Sequence, residues 1–368
     1  MKTFLLIIRW VVGLLFIFSG LIKANDPSGL SYKMQEFFEV WGWNFLNDYT
    51  LAFALLMNVF EVLAGVAVII GWRMRLFSWL LLLLIIFFTF LTGYALFSGK
   101  IKTCGCFGDC LPLTPAQSFG KDIFLLVMIL ILFATSKKIK SSVKPFAAVF
   151  LLILVTAATS VGQWYVLQHL PVVDCLPYKK GNNILEQMKT PAGAVPDSFS
   201  IVFIYKKAGK QIEFDQMHFP SDFDSTYEYV DRKDKLVKKG NGLQAKIVDF
   251  SLQSISGNDT TAAVLSQTGP YIMVLAKDMD QVDKWAGGFE TIARQAQQKN
   301  IPVLIVTADA DKAVIKLPNT TVVKCDATVL KTAARVTPTY FFMKGAEVLN
   351  KISYVDFQKV LDATNNFK

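Results

Sequence analysis

Apolar and polar positions are divided unevenly along this chain. Long apolar runs fill the first half, at about Thr3–Leu21, Leu51–Trp72, Leu76–Phe97, Ile123–Thr135 and Phe146–Leu167. Four of these runs approach the ~20 residues that a helix needs to cross a bilayer core. The run from Ile123 is shorter, and Ser118-Phe119-Gly120 extends it toward that length. The first run follows Lys2 as a signal peptide would. Arg9 interrupts it, however, and no small-x-small cleavage site follows, so it reads as a retained helix. The pattern predicts a bundle of about five transmembrane helices over residues 1–168.

After Leu170-Pro171 the periodicity changes. Residues 171–200 are rich in Pro, Gly, Asn and Lys and read as a tether with loops. SIVFIYKKAGKQIEFDQMHF predicts a hairpin around a Lys-Lys-Ala-Gly-Lys turn, and TYEYVDRKDKLV predicts a further strand. These define a small β-rich linker or insertion over 169–245. From Ile247 strands and helices alternate. IVDFSLQSISGNDTT reads as a lead-in strand and turn, YIMVLAK and PVLIVT as buried strands, and QVDKWAGGFETIARQAQQKN as an amphipathic helix. YFFMKGAEVLNKI then predicts a hairpin and YVDFQKVLDATNNF a last helix, which gives an α/β domain over 246–368.

Composition supports this division. The chain is 53% hydrophobic and 18% charged, which excludes a disordered, collagen-like or purely water-soluble protein. Of the net charge of +9, most lies in the apolar half, where it marks membrane topology. No basic stripe with interleaved aromatics is present, so nucleic acid is not expected as a partner. Arg73 and Arg75 lie between the second and third runs, and Lys137, Lys138, Lys140 and Lys144 between the fourth and fifth. The positive-inside rule makes both loops cytoplasmic, against the weaker signal of Lys100 and Lys102. The expectation is a multi-pass protein of the inner membrane, in contact with lipid. Its N-terminus lies inside and everything from about residue 169 on the periplasmic face.

All five cysteines then fall on that face, where disulfides persist. Cys104, Cys106 and Cys110 share the loop LFSGKIKTCGCFGDCLPLTPAQSFGKD; Cys175 follows the fifth run; Cys325 lies in the α/β domain. Thr114-Pro115-Ala116-Gln117 has the form of a capped helix start, so the loop is held tightly between two membrane helices. Three readings compete for it. One is a structural disulfide joining Cys104 or Cys106 to Cys110. Another is a metal site, poorly supported because no His is near and zinc-type CxxC pairs are absent. The third is an exchangeable dithiol at the membrane edge, since a disulfide within CxC closes a small strained ring. Such a pair would pass electrons to a quinone or to a thiol protein outside the cytoplasm. Lys100 and Lys102 favour the thiolate and Asp109 opposes it. Only His169 and His218 are present, which argues against haem, non-haem iron and His-based zinc chemistry. No nucleotide-binding or Ser-His-Asp pattern occurs, and no covalent cofactor is expected.

RWVVGLLFIFSGLIKANDPSG resembles the DoxX family at Arg9, Gly13, Phe18-Ser19-Gly20, Lys23 and Asp26-Pro27. CGCFGD followed by LPLTP resembles the MauE branch of that superfamily, and the likeness covers about residues 1–135. It implies a role in disulfide chemistry or electron transfer outside the cytoplasm, alongside a thioredoxin-like partner. It also ranks Cys104 and Cys106 ahead of Cys110 as the reactive pair. Cys175 follows the fifth run on the same face, so Cys110 either resolves that pair or joins Cys175. The order of elements in about 245–368, with Thr337-Pro338-Thr339 before a hairpin, resembles the thioredoxin fold of the TlpA and peroxiredoxin type. That likeness implies a cis bond at Pro338 on a partner- or substrate-binding edge. The departure is at AKDMDQVDKW, where the family's CxxC is missing; Cys325 reads as a buried, inert thiol.

Inside the membrane, Asn58 and Glu61 sit in the middle of the second run. A carboxylate at that depth is paired or functional. Arg9 is the expected partner of Glu61, Lys23 is expected to reach the outer headgroups, and Ala64, Gly65 and Ala67 suggest close helix contact. Three function classes remain. They are a thiol–disulfide component, a non-enzymatic assembly or binding protein with structural cysteines, and a subunit of a quinone-linked oxidoreductase complex.

Overall fold

The computed structural model describes residues 2–101, 105, 107–195, 198–215, 218–238, 240 and 243–367. By contact it divides into two compact units, Met1–Gly181 with Ser251–Lys368, and Asn182–Phe250.

The first unit opens with helices α1 (Lys2–Asn25), α2 (Pro27–Val40), α3 (Thr50–Ile70), α4 (Met74–Ser98), α5 (Pro115–Thr135) and α6 (Pro145–His169). All but α2 belong to the five helical segments long and apolar enough to cross a membrane. The α5 start is the expected one: Thr114 accepts from the Gln117 amide and the Gln117 side chain accepts from the Thr114 amide. The sequence pattern missed α2. Its mean polarity hid it, while Asp26 caps it by accepting from Gly29 N at 3.0 Å, with Pro27 in the first turn.

α1 and α3 pack nearly backbone to backbone. A Cβ at Gly13 would lie 2.7 Å from the Gly65 carbonyl oxygen, and a Cβ at Gly65 would lie 2.7 Å from that of Gly13. Larger residues at either site would force the helices apart, which is the small-residue logic of membrane helix pairs. The pairing aligns Gly13 with Gly65 and Gly20 with Asn58 and Val62, so the two helices run antiparallel.

That register corrects two expectations. Arg9 does not reach Glu61. It lies beside the C-terminal end of α3, where Nε donates to the Val68 carbonyl at 3.0 Å and Nη2 to that of Ile69. Val68 O also accepts from the Gly71 amide at 3.1 Å, so the guanidinium adds donors and positive charge at the carbonyl end of the helix. Glu61 is met instead by Lys23, with side chains 0% and 2% exposed. Lys23 is thus held in the bundle rather than directed to headgroups, because the antiparallel register places it one level from Glu61.

The same unit carries a mixed five-stranded sheet. Its elements are α8 (Thr261–Leu265), β4 (Pro270–Ala276), α9 (Ala286–Gln298), β5 (Val303–Thr307), α10 (Ala310–Lys316), β6 (Thr321–Lys324), α11 (Ala327–Ala333), β7 (Thr339–Lys344), β8 (Glu347–Ser353) and α12 (Phe357–Asn366). The order is β6-β5-β4-β7-β8, with β4, β5 and β6 parallel and β7 and β8 antiparallel to their neighbours. β4 is buried along nearly its whole length, as its unbroken apolar run requires. Ile272, Val274, Ile305, Tyr340 and Phe342 pack with Phe289, Ile292 and Val360 of the helices. The Thr337–Pro338 bond is cis. The lead-in strand is not formed: its region has only isolated bridges from Gln253 to Asp259 and to Lys324.

The second unit contains α7 (Ile184–Met188) and an antiparallel sheet of β1 (Ser198–Lys207), β2 (Lys210–Asp215) and β3 (Glu228–Lys238), in the order β2-β1-β3. Tyr205, Phe214, Phe219, Phe223 and Tyr227 form its aromatic cluster, with centroids 4.7–6.5 Å apart.

Candidate functional site: the cysteine loop and its surroundings

The loop between α4 and α5 is where the sequence concentrates its candidate chemistry. Cys104 and Cys106 lie outside the described residues, as does Lys102. Gly105, the residue between the two cysteines, is described. Its φ is +67°, and a Cβ there would stand 3.0 Å from Cγ of Lys33 on α2. A left-handed backbone pressed against a neighbouring side chain is a position suited to glycine.

Downstream, the loop is fastened at three points. Phe107 meets Phe18 of α1 at 5.8 Å between centroids, and Lys121 Nζ sits 5.0 Å from the Phe107 ring. Lys121 in turn pairs with Asp122 at 2.6 Å, and Asp122 accepts from Thr92 at 3.0 Å. Asp109 accepts from Arg335 at 2.8 Å. Cys110 is joined to Cys175 by a disulfide.

The segment after α6 is no slack tether in its first part. Val173 exchanges two hydrogen bonds with the Asn25 side chain, at 2.8 and 3.0 Å. Asp174 pairs with Lys351 of β8 at 3.0 Å, Cys175 holds Cys110, and Gly181 N donates to Val348 O at 2.7 Å. Lys351 is almost fully buried, and burial lowers its pKa against the opposing pull of Asp174. At the end of α6, His169 stacks on Tyr165 and contacts Asp356 at 3.0 Å. This strap ties the helices, the cysteine loop and the sheet together.

Arg335 is the other tie, and nothing in the sequence pattern singled it out. It stands just before Val336-Thr337-Pro338. Its Nε donates to both Asp26 oxygens at 3.0 and 2.9 Å, its Nη2 to Asp109, and its Nη1 to the Lys331 carbonyl at 2.9 Å. Only 5% of the side chain is exposed. Burial alone would lower its pKa, but the carboxylates of Asp26 and Asp109 outweigh that and raise it, so it stays a cation. Tyr32 of α2 lies under the Arg335 guanidinium at 5.5 Å, and its hydroxyl is 3.4 Å from Nζ of Lys277, the residue after β4.

These contacts face one particular corner of the sheet. β4 and β5 depart in one direction and β7 lies on the other side of β4, so the connection order switches between β4 and β7. The carboxyl end of β4 lies beside the start of β7, with Leu275 opposite Thr339. Crevices at such switch points are where open α/β sheets take ligands. Here Lys277 and Arg335, one from each side of the corner, both bind α2, and Arg335 also binds the cysteine loop. Pro338 and Thr339 sit at this corner; Thr339 is buried and donates to the Val336 carbonyl at 2.6 Å.

Cys325 does not join the loop. It follows β6, its amide donates to Thr307 O at 3.1 Å, and it is buried. Burial, helped by Asp326, pushes its thiol up to about 12. A thiol so rarely ionised is a poor nucleophile.

Gly105 also lines a cavity of about 520 Å³ between α2, α3 and α4. Its wall is aromatic and aliphatic, with Lys23, Lys33 and Thr92 as its polar members. Asn58, which the sequence grouped with Glu61, donates to Gln163 of α6 at 3.0 Å instead of lining it. Sequence reasoning missed the cavity because α2, which forms one wall, was not recognised.

A family model described as methylamine utilisation protein MauE matches residues 1–135. A second, described as a domain of unknown function (DUF8463), matches residues 199–239. No curated protein and no solved structure matches the chain. Over residues 1–135 the chain is thus similar to MauE, and with its five apolar spans it is a multi-pass membrane protein.

Proposed function

Starting from that MauE/DoxX-like module, we propose that the protein is a membrane component of thiol–disulfide exchange outside the cytoplasm. Cys104 and Cys106 are its exchanging pair. The observation that carries this reading is the Arg335 tie: it binds Asp109 of the cysteine loop and stands three residues before Pro338 at the switch point of the sheet. In this reading the α/β domain is thioredoxin-like, supported by its strand order and cis-Pro338. It lacks a CxxC of its own and is served by the membrane loop instead. A thiol protein docks beside Thr337, the partly exposed residue of the Thr337-Pro338-Thr339 edge, and its dithiol reduces the loop disulfide as its own disulfide forms. Cys110 and Cys175 act as a fastening, and Cys325 stays inert. The Lys/Arg loops opposite support a periplasmic position for the cysteines in this reading.

The test replaces Cys104 and Cys106 by Ser, singly and together, in a strain whose growth depends on this protein. Loss of growth with normal insertion, while Cys325→Ser grows normally, is the expected result. Full growth of the double variant gives the role to the alternative, a binding protein with structural cysteines. A cytoplasm-only reporter fused after Lys368 should be silent; activity would reverse the topology.

A further inference from the structure

Resting on the thiol reading above, we infer that the cavity beside Gly105 binds the head of a lipid-soluble quinone, which serves as the electron acceptor of the loop pair.

The cavity's size falls within the ~300–1,000 Å³ of small-molecule sites, at about 520 Å³. Phe38, Trp41 and Phe88 line it and supply flat apolar faces for a planar ring. One edge opens toward lipid: Leu56 and Phe87 belong to the wall and are also 69% and 43% exposed on helices α3 and α4. A ligand dissolved in the bilayer therefore reaches it without crossing water. The opposite edge ends at Gly105, the covalent neighbour of both Cys104 and Cys106.

The polar content of the wall separates a quinone from a lipid tail. Lys23 lies on it, and Glu61 holds its ammonium in place. An ammonium has three donors, of which Glu61 takes one and the Phe88 face, at 4.9 Å, attracts the charge. A donor is left to meet a ring carbonyl. An acyl chain offers no acceptor and makes a buried ammonium in the wall a cost, whereas a quinone carbonyl satisfies it.

The reaction balances within the two partners. Two thiols, on Cys104 and Cys106, lose two electrons and two protons and form one S–S bond. The quinone takes both electrons and both protons and becomes a quinol. The client's dithiol then restores the loop dithiol as described above, so the net change is client oxidation at the expense of quinone.

The test measures decylubiquinone binding to the full-length protein in lipid nanodiscs, read as quenching of tryptophan fluorescence. The chain has seven tryptophans, so the local signal is the share of quenching that Trp41→Phe removes. Saturable quenching is expected, and it should persist in Cys104→Ser/Cys106→Ser protein, where no transfer occurs. Leu84→Trp, which fills the cavity from α4, should abolish it. Lys23→Met with Glu61→Met removes the donor without stranding a charge and should weaken binding about tenfold, the scale of a hydrogen bond to a charged group. Both variants are measured below their own unfolding temperatures. Undiminished binding in the Met pair would show a lipid-tail pocket and overturn the inference. Absent quenching in the parent would overturn it too. The thiol reading would stand in that case if the loop pair still cycled with its client in quinone-depleted membranes.

Discussion

Two of the cation–carboxylate clusters in this molecule are built differently. Lys23 and Glu61 meet inside the helix bundle, and neither side chain is more than 2% exposed. Arg335 is as deeply buried, but Asp109, one of its two carboxylate partners, is 46% exposed. The closed pair has no water to fall back on, so each charge depends on the other. The graded cluster keeps one arm in solvent, where salt and water share the load. A closed pair suits a fixed wall, here the side of the cavity. A graded one suits a tie that joins a loop to a sheet and still lets the loop do chemistry.

The largest expected effect comes from breaking the closed pair on one side. Lys23→Met leaves Glu61 buried and unpaired, and should cost about 3–5 kcal/mol. Thermal unfolding in detergent reads this, and the added Glu61→Met should recover most of it. Equal loss in single and double variants would mean that the two charges do not depend on each other.

Next is the fastening beside the graded cluster. Cys110→Ser with Cys175→Ser should cost about 2–4 kcal/mol, as loss of a native disulfide commonly does. The cross-link joins residues 65 apart. Limited proteolysis should then cut first near Asp174, where the strap crosses to β8. Unchanged proteolysis would assign the holding of the strap to Asn25 and Lys351 alone.

Arg335→Lys is a smaller change. Lysine keeps the charge but cannot fork between Asp26 and Asp109. A loss of about 1.5 kcal/mol is expected, the lower end for a hydrogen bond to a charged group. Raising salt should shrink this difference while leaving the Lys23→Met penalty nearly unchanged. If salt erased both equally, the contrast between closed and graded clusters would fail.

At neutral pH the smallest effect is on Cys325. Its thiol rises from the ordinary 9.0 to about 12 on folding. The folded pKa exceeds the unfolded one, so its contribution is complete below pH 9 and declines as pH rises from about 9 toward 12. Cys325→Ala should flatten the fall in stability across that interval, followed by denaturant unfolding. Iodoacetamide at neutral pH should label Cys325 only after unfolding. Rapid native labelling would place the thiol in solvent.

The five spans were legible because a bilayer demands long apolar runs, and nothing subtler is needed to see them. The α5 cap was legible for the same reason of locality: Thr114, Pro115 and Gln117 act within one turn. Strands β4, β5, β7 and β8 showed through their apolar runs and the turn between them. So did the place of Cys110 in the loop between α4 and α5, a matter of spacing alone.

What the sequence could not order was partnership across distance. Arg9 and Lys23 are both cations in one helix, and the sequence reading paired Glu61 with Arg9; the antiparallel register of α1 and α3, marked by the contact of Gly13 with Gly65, gave it to Lys23. Arg335 lies hundreds of residues from Asp26, and only the packing of the sheet on α2 brings them together. The amphipathic α2 was too polar to announce itself, so the cavity it closes was equally hidden. Local propensity and membrane length are written residue by residue. A register, a strap and a shared ion are properties of surfaces brought together, and they exist only once the chain has folded.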